Sequence, residues 1–190
     1  MPRGDYHFLT CATVNTYCLA AEGQEYRPKQ KLGPKLYREK LSFFQTMLGT
    51  MGYPQLLVLQ EVYHRKALDD LLGGLPQYSG ASVIMPQDEL HEPRVAIVTC
   101  LPVQEQQVIC EFPPEAILAF GGQRFPVASF RRPVPSAVLQ LPDGLSLRVF
   151  GFHWKSQLGI YDDGEDKADL LAQSRAKQRA AIVRGCESAA

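Results

Sequence analysis

The segment from Val134 to Phe152 constrains the fold of this chain more than any other part. Two apolar runs, Val134 to Leu141 and Leu145 to Phe152, flank Pro142-Asp143-Gly144. Asp-Gly between two such runs is typical of a tight antiparallel turn, because glycine accepts the backbone conformations that these turns require. The sequence therefore predicts a β-hairpin, and this hairpin delivers His153 to the edge of a sheet.

Upstream of the hairpin, apolar strands and amphipathic helices alternate. The runs Phe8 to Val14 and Leu56 to Gln60 are predicted strands, and apolar residues at helical spacing predict helices over Lys35 to Met51 and Ala67 to Leu72. The polar stretch Ala20 to Pro34, with glycines and prolines, is predicted to be a loop. This βαβα order is typical of a layered α/β domain.

The rest of the chain is predicted to be mainly β-structure followed by a helix. Tyr78 to Met85, Arg94 to Thr99 and Val103 to Phe112 are predicted strands, whereas glycines and a proline interrupt Pro113 to Phe130. A final helix is predicted from Glu165 through Ala189, with a partial apolar face. No internal repeat or domain linker is visible, so we expect one domain over residues 1–190.

Polar residues follow three of the predicted strands. Asn15 closes the first, Glu61 the second and His153 the last. Because sites in open α/β sheets form outside strand ends, the three side chains are expected to share one crevice. An amide, a carboxylate and an imidazole suit a hard, oxygen-liganded cation with a histidine facing the substrate. Each residue also has a structural alternative: a turn cap, a surface carboxylate before a helix, and a structural histidine.

The hairpin runs directly into His153-Trp154-Lys155-Ser156. A cation and a hydroxyl beside a histidine suit an anionic substrate such as a phosphate ester. Lys155 is therefore a candidate substrate-binding residue, and a plain surface turn is its alternative.

Five segments, in order, resemble the successive motifs of the endonuclease/exonuclease/phosphatase superfamily, the deoxyribonuclease I-like metal-dependent phosphoesterases. They are ATVN, LLVLQEV, RVAIVTCLPV, RRPVPSAVLQLPDG and LRVFGFHWKS. The resemblance implies an α/β (α+β) fold, a four-layer α/β sandwich, and hydrolysis of a phosphodiester or phosphomonoester. Members of that superfamily act on nucleic acid, inositol phosphates or phospholipid head groups, and the fold does not decide among these substrates.

The resemblance also implies roles for individual residues. Glu61 would hold magnesium, with manganese as a substitute, and Asn15 would lie in the metal shell or on the phosphate. His153 would act with Asn15 in catalysis by donating to the phosphate or to the leaving oxygen. An arginine in the region of Arg131 and Arg132 would contact the substrate phosphate, and solvated surface is the alternative for both.

The chain departs from the superfamily pattern in two respects. After His153 it lacks the later Gly-Asp-x-Asn and Asp-His motifs, which supply further acids and the general base. Arg94 and Cys100 stand where many members have an acidic residue and an arginine. We therefore expect a C-terminally incomplete domain: a truncated hydrolase or, alternatively, a catalytically inactive interaction module that retains the phosphoesterase scaffold. An incomplete sandwich exposes a sheet, so self-association is also expected.

Composition argues against other classes. The net charge is zero, with 20 basic and 20 acidic residues, and there is no basic stripe for nonspecific DNA binding. The five cysteines lack Cys-x-x-Cys pairs and zinc spacing, which predicts buried free thiols in a reducing compartment. The first residues lack the apolar stretch of a signal peptide, and no window has transmembrane length, which favours a cytoplasmic protein. No Gly-x-Gly-x-x-Gly follows the first strand, so a dinucleotide-binding fold is not supported.

Overall fold

The computed structural model describes residues 8–87, 92–111 and 129–153. Lys155 and the final helix predicted from Glu165 through Ala189 lie outside the described residues. So does most of the segment from Pro113 to Phe130.

The chain divides into two compact units. The first comprises Met1–Ile109 and Arg132–His153, and the second comprises Cys110–Arg131 and Trp154–Ala190. Of the second unit, the structure describes only Cys110, Glu111 and residues 129–131. Asn15, Glu61, Arg132 and His153 belong to the first unit and Arg131 to the second. A single domain over residues 1–190 stays a prediction.

Short strands and two helices make up the described part of the chain. In chain order these elements are β1 (Cys11–Leu19), β2 (Glu25–Arg27), β3 (Gln30–Lys31), α1 (Pro34–Thr50), β4 (Leu56–Val62), α2 (Arg65–Gly73), a 3₁₀ turn (Pro76–Tyr78), β5 (Ser82–Ile84), β6 (Arg94–Thr99), β7 (Val103–Glu111), β8 (Ser129–Gln140) and β9 (Ser146–Phe150). The predicted mixture of strands and helices is therefore confirmed.

Both helices begin and end for identifiable local reasons. Pro34 stands at the start of α1, where its missing N–H costs nothing, and Gly52, with φ of 74°, follows the last turn. α2 buries Ala67, Leu68 and Leu71 on one face. Neither of these helices, the only ones in the part of the chain described, is long and apolar enough to cross a membrane.

Four strands form a mixed sheet in the order β1-β4-β6-β5. β1 and β4 are parallel, while β6 runs antiparallel to both β4 and β5. A parallel pair requires a crossover connection, and α1 lies within the segment that connects β1 to β4. The parallel pair therefore brings the C-terminal ends of β1 and β4 to the same edge of the sheet.

The two faces of this sheet pack against different layers. Leu57 and Leu59 of β4 belong to a cluster on the helix side, whose buried helical members are Tyr37, Phe44, Leu48, Ala67, Leu68 and Leu71. Leu56 and Val58 point the other way, because side chains alternate along a strand. They belong to a second cluster with residues of β8 and β9, namely Ala137, Leu139, Leu147 and Val149.

The three strands β7, β8 and β9 form a second sheet in that order. β8 and β9 are antiparallel, with Ser136 opposite Phe150 and Gln140 opposite Ser146. The turn between them is closed by Gly144, whose N–H donates to the Leu141 carbonyl at 3.0 Å and whose φ is 85°. The predicted hairpin is confirmed. The described residues thus stack as helices, sheet and sheet, and the four-layer deoxyribonuclease I-like sandwich stays a prediction.

Several element boundaries differ from the predictions. β4 continues to Val62, so Glu61 lies inside the strand rather than closing it, and β8 begins at Ser129 rather than Val134. The first strand begins at Cys11 rather than Phe8 and continues to Leu19, because pairing with β4 resumes at Leu19 after an irregularity. Asn15 therefore lies inside the strand rather than at its end. The predicted strand Tyr78 to Met85 shrinks to β5, since the 3₁₀ turn and Gly80 (φ 79°) occupy its first half. The predicted loop Ala20 to Pro34 contains the short antiparallel pair of β2 and β3.

The prediction of buried thiols is wrong. Cys11, Cys100 and Cys110 are exposed and Cys18 is half-buried, and all four are free. Cys11 lies on an edge strand, Cys100 follows the end of β6, and Cys110 lies on the largely exposed strand β7. Cys186 is outside the described residues.

Candidate functional site

The side chains of Asn15 and His153 both meet the carboxylate of Glu61. The amide Nδ2 of Asn15 donates a hydrogen bond to Glu61 Oε1 at 3.0 Å. His153 Nε2 lies 3.7 Å from the same oxygen, and the two side chains are only 14% (His153) and 20% (Glu61) exposed. The structure therefore brings together the three residues that the sequence predicts to share a site.

A bulge in β4 sets the direction of the Glu61 side chain. Gln60 is paired with Val95 and Val62 with Arg94, so Glu61 is an extra residue against β6. Strict alternation would place Glu61 on the helix face after Leu57 and Leu59, but Val62 occupies that face instead. Glu61 has a φ of 61°, which is unusual for a residue with a side chain. The bulge thus releases the carboxylate from the apolar helix side.

A second bulge, in β1, supplies backbone donors to the site. Asn15 pairs with Gln60 and Leu19 with Val62, so residues 16–18 stand opposite Glu61 alone. Tyr17 and Cys18 both adopt left-handed conformations, with φ of 50° and 62°. The Tyr17 N–H donates to Asn15 Oδ1 at 2.9 Å, and the Cys18 N–H donates to Glu61 Oε2 at 3.2 Å. Successive N–H groups of this kind form a concavity for oxygen acceptors.

The Thr16 hydroxyl joins the two bulges. Thr16 is fully buried, and its Oγ1 lies 2.8 Å from the Gln60 carbonyl oxygen and 3.1 Å from that of Glu61. A bulge leaves backbone groups without a ladder partner, and a buried carbonyl needs a donor. Thr16 supplies this donor to β4 where the strand departs from regular geometry.

The environment of Glu61 favours its ionised form. Burial by itself would raise the pKa of this carboxyl group. Hydrogen bonds from Asn15 and Cys18, together with the nearby His153, outweigh burial and lower the pKa below its usual value. The Cys18 thiol contributes a second contact, with Sγ 3.5 Å from Oε2. Glu61 is therefore a carboxylate at neutral pH.

His153 is held in its neutral form. Burial lowers the pKa of this imidazole, the Arg132 cation lowers it further, and the Glu61 carboxylate only partly opposes them. Its Nδ1 is buried and has no hydrogen-bond partner among the described residues. At neutral pH the contact with Glu61 is therefore one between a carboxylate and an uncharged ring.

Gly151 allows the chain to carry His153 close to β6 and β4. The N–H of Gly151 extends the hairpin ladder by donating to the Pro135 carbonyl at 2.9 Å. A Cβ at this position would lie 2.8 Å from Val95 Cγ1, closer than real Cβ atoms approach, and 3.1 Å from Pro135 Cγ, a tight contact. The missing side chain therefore lets β9 lie against β6 at the point where it delivers His153.

Of the basic residues that the sequence singles out, only Arg132 can be placed beside the site. Its Nη1 donates to the backbone carbonyl of His153 at 3.5 Å. Arg131 lies in β8, but its side chain is outside what the structure describes, and so is Lys155 entirely. Arg132 thus adds positive charge next to His153.

The donor atoms present fit a weakly held, largely hydrated metal ion. Each carboxylate oxygen of Glu61 already accepts a hydrogen bond, but an ionised carboxylate has acceptor sites to spare. The Asn15 amide oxygen is similarly engaged by the Tyr17 N–H. Within the described ranges, no group of three or more His, Cys, Asp or Glu residues could hold a metal. Magnesium tolerates one carboxylate when water and substrate phosphate complete its shell.

The position where the resembling superfamily often has a second acid carries a buried cation. Arg94 is 2% exposed, lies opposite Val62 in the neighbouring strand, and donates from Nη1 to the Tyr63 carbonyl at 2.6 Å. A guanidinium in this setting cannot serve as a metal ligand. Glu61 is thus the one carboxylate that the described residues place next to Asn15 and His153.

The sequence did not indicate Thr16, Cys18 or Lys40, which complete the surroundings of Glu61. Lys40 reaches the β1 bulge from α1 and donates from Nζ to the Thr16 carbonyl at 3.0 Å. One signal could have pointed to the β4 bulge. Gln60 and Glu61 are adjacent polar residues in a strand that otherwise alternates between two buried faces.

Compared with known proteins, the chain matches no protein-family model and no curated protein. The superfamily resemblance carried by its motifs therefore stays a prediction.

Proposed function

We propose that Asn15, Glu61 and His153 form a metal-dependent phosphoester-hydrolysing site. The observation that carries this proposal is their convergence, with Glu61 Oε1 in contact with both partners. Two of the three contacting side chains come from bulged strands, and strained positions cluster at functional sites. A carboxylate held ionised beside a neutral imidazole also suits metal binding and proton transfer.

Each residue has a distinct task in this proposal. Glu61 presents a fixed negative charge to a cation, and Asn15 orients it through the 3.0 Å hydrogen bond. His153, neutral at physiological pH, donates a hydrogen bond to a phosphoryl or leaving oxygen. Arg132 adds positive charge next to His153, which favours an anionic substrate over a neutral one.

Magnesium, or manganese in its place, is the cofactor that this donor set suits. Glu61 would be its direct protein ligand, with Asn15 beside it. When bound, such an ion polarises a phosphoryl oxygen and stabilises the charge that develops during displacement by water. The single carboxylate implies weak binding in the absence of substrate.

The proposed substrate is a phosphate ester, with nucleic acid, inositol phosphate and phospholipid head group as the candidate classes. The balanced charge of the chain does not favour an extended nucleic-acid track. Action in the cytoplasm is part of the same proposal.

A second candidate is a non-catalytic interaction module that keeps the phosphoesterase scaffold. Two observations favour it. Both oxygens of Glu61 are already hydrogen-bonded within the protein, and Arg94 occupies the position of a second acid. In this case the network around Glu61 would stabilise the fold rather than a metal.

The experiment compares the wild-type chain with Glu61→Gln and His153→Ala, and uses Asp69→Asn as a matched control. Asp69 is an exposed carboxylate on α2 that pairs with Arg65. Binding of manganese is followed by paramagnetic broadening of NMR signals, with and without inorganic phosphate. Hydrolysis of bis-nitrophenyl phosphate with magnesium is measured in parallel.

In the wild-type chain we expect weak manganese binding that broadens the NMR signals around Glu61. Glu61→Gln should abolish this binding, and Asp69→Asn should leave it intact. Turnover that disappears in both site variants supports the hydrolase. Binding without turnover in the wild-type chain fits the non-catalytic module with a residual metal site, and also a truncated hydrolase that lacks its general base. Absence of manganese binding at Glu61, even with phosphate present, would overturn the metal-dependent proposal.

Self-association is the remaining part of the proposal. Among the strands that the structure describes, β7 lies at one edge of the second sheet, and its Val108 is among the exposed large apolar side chains. An exposed edge can pair with a second copy. Sedimentation velocity should show a sedimentation coefficient that increases with protein concentration, and a constant monomer value would contradict this expectation.

A further inference from the structure

One lysine of α1 is turned inward onto the β1 bulge. Lys40 Nζ donates to the Thr16 carbonyl at 3.0 Å and also to the Tyr17 carbonyl. The residue is half-buried, and its ammonium lies 5.7 Å from the centre of the Phe44 ring, one helical turn along. Burial lowers the pKa of Lys40, while Cys18 and Glu61 oppose this shift. A long cationic side chain usually keeps its charge in water, so this placement is unusual.

The bulge explains why a cation is needed there. The left-handed conformations of Tyr17 and Cys18 direct the N–H groups of these residues to the side chains of Asn15 and Glu61. The carbonyls of Thr16 and Tyr17 are acceptors of the same irregular segment, and each accepts a hydrogen bond from Lys40. An ammonium offers three donors from one atom, so it can serve both carbonyls together.

We propose that Lys40 is the positioning residue of this site: by bridging the Thr16 and Tyr17 carbonyls, it maintains the β1 bulge that orients Glu61. Lys40 acts through the backbone, because the Cys18 N–H is the link between the bulge and Glu61 Oε2. α1 thereby contributes to the site without placing a side chain on the ligand. The inference rests on the proposed function only for the importance of Glu61, since the geometry of the bulge can be measured without metal or turnover.

The test uses three variants of the full chain. Lys40→Met removes the ammonium and keeps most of the aliphatic stem, Lys40→Arg retains several donors, and Lys35→Met is the matched control. Lys35 lies on the same helix with an 87% exposed side chain and a 3.9 Å contact to Glu39. Amide hydrogen exchange at Tyr17 and Cys18 is measured by NMR, and alkylation of the Cys18 thiol by mass spectrometry.

In Lys40→Met we expect the Cys18 amide to exchange about tenfold faster than in the wild type, after any change in global stability is taken into account. A factor of this size corresponds to the loss of about one hydrogen bond. The Cys18 thiol, held against Glu61 in the wild type, should alkylate faster as well. Lys40→Arg should restore slow exchange at least in part, and Lys35→Met should leave both readouts unchanged.

Two results would overturn the inference. One is a folded Lys40→Met variant whose Cys18 amide exchanges and whose thiol alkylates at wild-type rates. The other is a folded Lys40→Arg variant no better than Lys40→Met. If Lys40→Met does not fold, Lys40→Gln replaces it, because a neutral amide can still donate to one of the two carbonyls. Exchange of the Cys18 amide at the wild-type rate in Lys40→Gln would equally refute the need for an ammonium.

Discussion

Different interactions stabilise the two halves of β4. From Leu56 to Leu59 the strand alternates strictly, and both of its faces belong to apolar clusters. From Gln60 to Val62 the alternation breaks, and Glu61 takes a left-handed conformation among hydrogen bonds from Asn15 and Cys18. Burial of apolar area stabilises the first half, whereas the second half holds a carboxylate in one orientation.

This difference shows how a sheet can support a strained site. A non-glycine residue in a sparsely populated conformation costs on the order of 1–3 kcal/mol, and it persists only where the surrounding structure over-determines it. The regular half of β4 pairs with β1 on one side and β6 on the other, which fixes the strand up to Gln60. The regular half of β4 therefore stabilises the bulged half. Substitutions in the two halves should change the free energy of unfolding by different amounts.

The largest expected effect lies in the regular half. Leu57 is fully buried between the helices and the sheet, so Leu57→Ala should lower the free energy of unfolding by about 2–5 kcal/mol through lost burial and a residual cavity. Denaturant unfolding measures this change. Leu145→Ala, at a side chain 64% exposed, is the control and should change stability by less than about 0.5 kcal/mol. Equal losses in the two variants would remove the basis of the comparison.

A change next to His153 tests whether the bulged half depends on close packing. Gly151→Ala should cost about 1–3 kcal/mol, because the new Cβ would overlap the stiff side chain of Val95. It should also shift the NMR signals of His153, since moving residue 151 away from Val95 displaces the residues that follow it. Gly73→Ala is the matched control: a Cβ there meets nothing within 4 Å, and the variant should be neutral or slightly more stable. An unperturbed His153 in folded Gly151→Ala would argue against the packing role of the glycine.

The hydroxyl that joins the two bulges should have a smaller effect. Thr16→Val keeps the shape of the side chain but removes the donor to the carbonyls of Gln60 and Glu61, which should lower the free energy of unfolding by about 1 kcal/mol. Thr50→Val removes an exposed hydroxyl that bonds to the Thr46 carbonyl in α1 and should have almost no effect. Similar values for the two variants would show that the bulge does not need this bond.

The smallest expected effect is a pH dependence. The pKa of His153 is lowered in the folded protein, so the unfolded chain binds a proton first as the pH falls below about 6.5, and stability is lost from there downward. Glu61 has a lowered pKa as well, and its contribution is lost only in more acidic solution, below about pH 4.5. Unfolding of wild type and His153→Gln between pH 7.5 and 5.5 measures the first step, which should be weaker in the variant. A steeper loss in His153→Gln would reverse the assigned direction.

The regular parts of the fold follow from local patterns, and the sequence predicts them well. α1 and α2 have apolar residues at helical spacing with a proline or glycine near their ends, and the β8–β9 hairpin has Asp-Gly in its turn. Convergence of Asn15, Glu61 and His153 is also expected from the sequence, because sites in open α/β sheets form outside strand ends. Parallel pairing explains this for Asn15 and Glu61, whereas His153 comes from the β8–β9 hairpin.

The bulges could not be predicted in the same way. They depend on contacts between β1, β4 and α1 that are far apart in sequence, and Tyr17 and Cys18 are not residue types that favour left-handed conformations. Lys40 looks like an ordinary solvated helix residue until its partner carbonyls are known. The exposure of Cys11 and Cys110 was missed because strand membership does not reveal which strands lie at an edge.

The parallel pairing of β1 with β4 also has a kinetic consequence. Asn15 and Glu61 are 46 residues apart, and His153 reaches them only after the β8–β9 hairpin, much later in the chain, has docked. Such distant contacts must close large loops before they contribute free energy, so they form late and slow the search for the native state. During synthesis, the residues of β1 and β4 therefore leave the ribosome well before His153, which completes the site. Any chemistry at Glu61 that requires His153 would therefore begin only after the β8–β9 hairpin has docked.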